Sequence, residues 1–285
     1  MKVFLSALDT GAMKEIIPYV HRKLGDKPIP FGLQSYFYIR KSPKFFNLAK
    51  ENCSEMLIDS GAHSFQHGGG KNIDWIAYTK EYAQWIKEND NDQILGYFEM
   101  DIDNIIGYDK VLELRKILLG VTDKIIPVWH KNRGIEEFKK MCKETKGEIV
   151  SITGFGITLK DLDIKRNQYD IFVKYAHENG KKIHGLGLTR SDVLLKVPFD
   201  FVDSSSWSTG AARGGNFAKY IGKGRIKNKG TNGKMKTINI QKNNLIEWIK
   251  FSKFYNRYWH KLHDDLCVIL RFGISRLLKL ERLYI

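Results

Sequence analysis

The sequence predicts an α/β fold, a TIM-type (β/α)8 barrel carrying a basic C-terminal helical extension. Three observations predict it. Short apolar runs alternate with amphipathic stretches along most of the chain, the pattern of parallel strands joined by right-handed helical crossovers. Every predicted strand after the first ends in a polar or glycine-bearing motif. A doubly wound sheet gathers such motifs at one switch point, whereas a closed barrel spreads them over the C-terminal ends of many strands. The 285 residues also fit one barrel, or else two small domains.

In chain order, Lys2–Leu8 is a first strand and Met56–Ile58 a second, ending at Asp59. Ile73–Asn89 is a helix with Trp75, Ile76, Tyr82, Ala83 and Ile86 on one side. Ile94–Met100 is a strand ending at Asp101, followed by a helix over Asp109–Leu119. Ile125–Trp129 is a strand ending at His130, followed by a helix over Ile135–Lys146. The strand Glu148–Thr153 ends at Gly154, and Gly180 stops the next helix, Gln168–Asn179. Lys182–His184 runs into Gly185-Leu-Gly187, and Ser191 caps a short helix to Leu195. Phe199, Phe201 and Val202 are what a covered strand requires, and Asp203 ends that run. Residues 1–215 are therefore assigned to the barrel, and 216–285 to a basic loop plus C-terminal helices packing on it.

Composition bounds the rest. A net charge of +15 points to a polyanionic partner, most simply nucleic acid. Cys53, Cys142 and Cys267 are scattered and form no C-x-x-C, so neither a disulfide framework nor a cysteine-rich zinc site is expected. No segment approaches 18 uncharged apolar residues and no signal peptide is seen, so no membrane is expected and a reducing cytoplasm is the default. The charge concentrates after Gly215. Arg213, Lys219, Lys223, Arg225, Lys227 and Lys229 make a nucleic-acid-binding set, and Glu247 is the only acid between Arg213 and Lys261. The aromatics interleaved in Leu245–His260 either stack on bases or belong to an amphipathic helix covering the barrel. The tail 264–285 is expected to be a terminal helix.

Asp59, within Met56-Leu-Ile-Asp-Ser-Gly-Ala-His63, and Asp203 place two carboxylates on different strands of one barrel mouth. Such a pair can divide roles, one as nucleophile and one handling protons, and chemistry at an anomeric carbon uses both. The alternative for Asp203 is a helix cap or a turn shared with its serines.

At these residues the sequence resembles the tRNA-guanine transglycosylases. Asp59-Ser-Gly-Ala is similar to their Asp-Ser-Gly-Gly motif, and Asp200-Phe-Val-Asp203-Ser to their nucleophile strand. Phe98-Glu-Met-Asp101-Ile-Asp103 resembles the base-recognition strand, and Glu148-Ile-Val-Ser-Ile-Thr-Gly154-Phe-Gly the base-binding turn. Lys182-Ile-His184-Gly-Leu-Gly resembles the Met-Gly-Val-Gly strand, and Pro127-Val-Trp-His130 takes the place of a Val-Gln-Gly turn. The shared order covers about residues 1–215. The chain departs from the tRNA enzymes in lacking their C-x-C-x-x-C zinc site, so neither metal nor cofactor is expected. It looks closer to the phage and bacterial branch that inserts 7-deazaguanines into DNA.

The resemblance implies that Asp203 attacks C1′ of a flipped guanosine while Asp59 moves the protons. It implies that Asp101 or Asp103 reads the base edge, that Gly154 and Phe155 read its carbonyl, and that His63 and His184 stack on it. Ser60, His130, Gly185, Ser204 and Trp207 complete the expected lining. Simpler roles stand beside these. The histidines can be packing residues, His130 can cap its strand, Arg213 can be an ordinary surface arginine, and Asp200 can replace Asp203 as nucleophile. Three other functions also stay open: the same exchange on tRNA, a metal-dependent barrel hydrolase built on the strand-end histidines and aspartates, and a non-catalytic nucleic-acid-binding protein.

Overall fold

The computed structural model describes residues 1–66, 73–153 and 168–272, except for the side chains of His63, Gln66 and residues 265–272. Among the described residues the main sheet holds β1 (Lys2–Leu5), β2 (Ile29–Ser35), β3 (Cys53–Asp59), β4 (Ile94–Phe98) and β5 (Ile125–Ile126). It continues with β6 (Val128–Trp129), β7 (Ile149–Ile152), β8 (Lys182–Gly185) and β9 (Phe201–Ser204). All pair in parallel, in the order β5-β4-β3-β2-β1-β9-β8-β7-β6. The two ends of that order, β5 and β6, are one strand divided by Pro127. The upstream half bonds to β4 and the downstream half to β7, so eight staves close a ring. The chain is an α/β barrel of TIM type.

Proline causes the division because it has no N–H to give the ladder. The next amide, Val128 N, turns instead to the buried Glu99 carboxylate at 2.7 Å, and Glu99 also pairs with Arg115. β2 is the stave the sequence reading lacks. Its Ile29-Pro-Phe-Gly-Leu-Gln-Ser35 carries both proline and glycine, which depress strand propensity. Gly32 is needed there for close approach, since a Cβ would stand 2.6 Å from Cys53 Sγ.

The barrel interior is filled by Phe4, Phe31, Leu33, Leu57, Phe98, Ile126, Val128, Ile149 and Phe201, a cluster separate from the larger core between strands and helices. At its N-terminal end Lys2 pairs with Glu55 at 2.5 Å. Strand side chains alternate between faces. Two residues beyond the apolar layer, the same face therefore presents Ser6, Ser35, Asp59, His130, Ser151 and Asp203. This polar tier stands at the C-terminal ends of the staves.

The basic segment after Gly215 forms an antiparallel ribbon, β10 (Asn216–Tyr220) with β11 (Ile226–Gly230), where the sequence predicts a loop. A helix over Thr237–Phe272 follows and joins the expected Leu245–His260 helix to the start of the tail. Its Trp248, Phe251 and Tyr255 are buried, and Ser252 Oγ donates to Val3 O at 2.7 Å. Those aromatics cover the barrel and are not free to stack on bases. Residues 273–285 lie outside the described residues. None of the described helices is long and apolar enough to cross a membrane.

Candidate active site

Asp203 sits at the end of β9, buried, with both oxygens engaged. Ser6 Oγ donates to Oδ2 at 2.8 Å and Gly187 N donates to Oδ1 at 2.8 Å. Burial raises its pKa, while these two donors oppose the rise by favouring the charged form. Trp207 is fully buried and does not line the mouth, contrary to expectation. Its indole N–H donates to Ser6 O at 2.7 Å, so it fixes the segment that carries the serine. Ser204 is also buried, and its Oγ accepts from Ser206 N at 3.1 Å, a turn contact.

Asp59 ends β3 and faces the same mouth. Gly61 N donates to its Oδ2 at 2.8 Å. That turn requires glycine: φ at Gly61 is +84°, and a Cβ would meet Phe37 Cβ at 2.4 Å. Burial pushes the Asp59 pKa up to about 7. The Gly61 amide opposes the rise, and the charges of Asp101, Asp203 and Asp9 add to it. Ser60, next in the chain, is fully buried with an unpartnered Oγ, and its carbonyl accepts from Tyr78 Oη at 2.8 Å.

Asp9 is a further carboxylate at this end of the barrel, and the sequence reading passes over it. It follows the turn at Ala7, whose φ is +63°, and its Oδ2 accepts from Ser35 N at 2.7 Å. Burial raises its pKa. Its position directly after the apolar run ending at Leu8 is the signal that could have found it.

Asp101 and Asp103 are both charge-paired. His130 Nε2 contacts Asp101 Oδ1 and lies 3.6 Å from Asp103 Oδ1. Burial lowers the His130 pKa, but Asp101 and then Asp103 outweigh it, and the net shift is upward. Arg133 donates through Nη2 to Asp103 Oδ2 at 2.8 Å and through Nη1 to Val128 O at 2.6 Å. Nothing in the sequence separates Arg133 from a surface arginine. One ligand atom from each of Asp101, Asp103 and His130 lies within 4.8 Å of the others, a set that could hold a cation.

His184 is fully buried and does not present a face at the mouth, where the stacking role needs it. Its ring meets Phe98 edge-on at 5.1 Å, Nδ1 lies 3.3 Å from Ser151 Oγ, and Nε2 lies 3.6 Å from Asp203 Oδ1. Burial drops its pKa to about 3, so it is a neutral imidazole. Gly185 is the last residue of β8, in register with Ile152 and Val202, and a Cβ there would meet Leu188 and Phe199. Gly154, Phe155 and the side chain of His63 lie outside the described residues. Arg213, Lys219, Lys223, Arg225, Lys227 and Lys229 are all exposed.

Fold and mouth together define an α/β barrel whose C-terminal face gathers carboxylates in unequal environments. No family model and no curated protein matches the chain. Among solved structures, it is similar to a mandelate racemase/muconate lactonizing protein from Herpetosiphon aurantiacus, with 9% sequence identity and a TM-score of 0.43. The match covers 71% of this chain and 54% of that one, so the chain spans about half that protein's length.

Proposed function

We propose that the chain is a guanine transglycosylase that exchanges guanine for a 7-deazaguanine base in DNA through a covalent aspartyl-glycosyl intermediate. The observation that carries this reading is the inequality of Asp59 and Asp203. Asp59, with its pKa near 7, holds a proton over part of the neutral range and can give it up. Asp203 has two donors trained on its carboxylate, which favours the ionised form that a nucleophile needs. Two carboxylates at one mouth with different hydrogen-bonding surroundings support Asp59 as the acid–base group and Asp203 as the nucleophile.

In this reading the target nucleotide swings out of its stack into the mouth. Asp203 forms a bond to C1′ as the glycosidic bond breaks, and Asp59 protonates the departing guanine. The incoming base then returns a proton to Asp59, its ring nitrogen attacks C1′, and the bond to Asp203 breaks. Two displacements retain the configuration at C1′. Asp101, more accessible than Asp103, is the carboxylate that reads the base edge, with His130 orienting it. The test is incorporation of a labelled 7-deazaguanine into duplex DNA, single-stranded DNA or tRNA. Incorporation into tRNA alone refutes the choice of acceptor; no incorporation by folded protein refutes the chemistry.

A second reading, a metal-dependent hydrolase acting on nucleic acid, has its own observation. Asp103 Oδ1 is buried, has no hydrogen-bond partner and belongs to the Asp101–Asp103–His130 set. These donors fit a divalent cation by type, as two carboxylates and an imidazole. Against it, His130 and Arg133 already balance the two carboxylate charges. Stoichiometric metal in the purified protein, lost together with a hydrolytic activity, would favour this reading over base exchange.

A further inference from the structure

The ribbon β10–β11 is held on one face and free on the other. Its inner face packs on the helix Thr237–Phe272: Ala218 is buried, and the Tyr220 and Phe254 rings lie 6.2 Å apart. The open edge of β10 is closed by side chains of that helix in place of a third strand. Ala218 N donates to Asn244 Oδ1 at 2.7 Å, Asn243 Nδ2 donates to Ala218 O at 2.8 Å, and Tyr220 N donates to Glu247 Oε2 at 2.7 Å. The tip is tied down as well, because Ser191 Oγ and Tyr255 Oη both donate to Gly224 O. The segment is a rigid platform.

Its outer face is cationic. Antiparallel partners point the same way. Lys219 therefore stands directly opposite Lys227, and Phe217 opposite Lys229, with Ile221 and Arg225 continuing the face at the tip. Lys219, Lys227, Lys229 and Arg225 are exposed, and among the described residues none of them forms an ion pair. Glu247, the only acid between Arg213 and Lys261, is buried and spent on the Tyr220 amide and on Lys250. Like charges directly opposite on a ribbon destabilise it. A tied-down face whose charged residues are all cationic, with two lysines directly opposed, is explained by a polyanionic partner.

We propose that this face is a docking surface for duplex DNA, with the ribbon seated in the major groove. The proposal deepens the base-exchange reading and rests on it for the choice of nucleic acid. Strands about 4.8 Å apart, with side chains, make a ribbon of the width that a B-form major groove of about 12 Å admits. The groove of A-form RNA is deep and narrow and excludes it. Lysines at the margins reach phosphates, while Phe217 and Ile221 offer apolar contact to base edges. The ribbon follows β9, the strand that carries Asp203, and is joined to it by the helix Ser206–Gly214.

The test is binding of the full-length protein to short labelled duplexes of DNA and RNA with the same sequence, measured against salt, with no free base present. Duplex DNA should be preferred. The Lys219→Ala/Lys227→Ala variant should reduce the slope of log affinity against log salt by about 2. Its melting temperature should be unchanged or higher, because a repulsive pair is removed, and this separates lost contact from lost folding. Equal binding of RNA and DNA duplexes, or an unchanged salt slope in the folded variant, overturns the proposal. Because the assay contains no base to exchange, such a failure leaves the chemistry untouched. Failed exchange with intact, ribbon-dependent duplex binding refutes the chemistry alone.

Discussion

Asp200 and Asp203 are three residues apart, yet they serve opposite ends of the barrel. Asp200 precedes β9, where its Oδ2 accepts from Ile183 N and meets His177 Nε2, both at 2.8 Å. Asp203 closes the strand at the mouth, between Ser6 and Gly187. The geometry separates two carboxylates that the motif alone leaves in competition. Asp203→Asn should lower the exchange rate at least about 1,000-fold, as removal of a nucleophile does. Asp200→Asn should cost only about 1 kcal/mol of stability and leave a covalent nucleic-acid adduct trappable. An adduct that survives in the Asp203 variant but not in the Asp200 variant would reverse the assignment.

Asp59 should make the protein less stable where it is ionised. Its folded pKa of about 7 stands above the ordinary aspartate value of 3.8, so the folded state binds the proton more tightly than the unfolded chain. The stability is fully present below about pH 4 and is lost as pH rises through 7. Asp59→Asn removes that dependence, and should raise stability at pH 8 by on the order of 2–4 kcal/mol while stopping proton transfer. Paired thermal melts at pH 4.5 and pH 8 measure it: the variant's advantage should be much larger at the higher pH. An equal advantage at both would mean that the shift lies elsewhere.

The barrel was legible because each of the six predicted strands after the first ends in a polar or glycine-bearing motif, as strand ends at a barrel mouth do. β2 was not legible, since Pro30 and Gly32 break the pattern a strand should show, and Pro127 hid the break between β5 and β6 inside one apolar run. Of the site, Asp59, Asp101 and Asp203 were legible from their place after apolar runs. The directions of Trp207 and His184 were not, because an aromatic or imidazole ring next to a site packs inward or faces outward with the same local sequence. Ser6 and Arg133 act through contacts made 197 and 30 residues away, which local reading cannot see.

His184 gives a pH dependence of opposite sign. Burial holds its folded pKa at about 3, below the ordinary histidine value of 6.5, so the unfolded chain takes up the proton first. Its contribution is intact above pH 6.5 and is lost as pH falls toward 3. His184→Met keeps the volume and removes the titration. Relative to that variant, the wild-type protein should lose on the order of 4 kcal/mol between pH 7 and pH 3. Urea unfolding of both proteins across this range measures the difference. A constant gap between them would show that the imidazole is already charged in the fold.

The Glu99–Arg115 pair should prove costly to break from one side. Glu99 is fully buried and accepts from Arg115 Nε at 2.5 Å and Nη2 at 3.0 Å, and also from Val128 N at 2.7 Å. That amide lost its ladder partner where Pro127 interrupts the stave, so the carboxylate replaces a strand contact as well as pairing a charge. Arg115→Met leaves a buried carboxylate without its cation and should lower stability by about 3–5 kcal/mol. Glu99→Gln keeps an acceptor for Val128 N but strands the guanidinium, and should cost a similar amount. If the charge is what matters, the double variant Glu99→Gln/Arg115→Met recovers much of the loss, because neither side is left with an unpaired ion. Denaturant midpoints of the two single variants and the double variant complete the cycle. Strict additivity would mean that Glu99 acts through the Val128 amide alone, as a substitute for the missing rung two residues before His130.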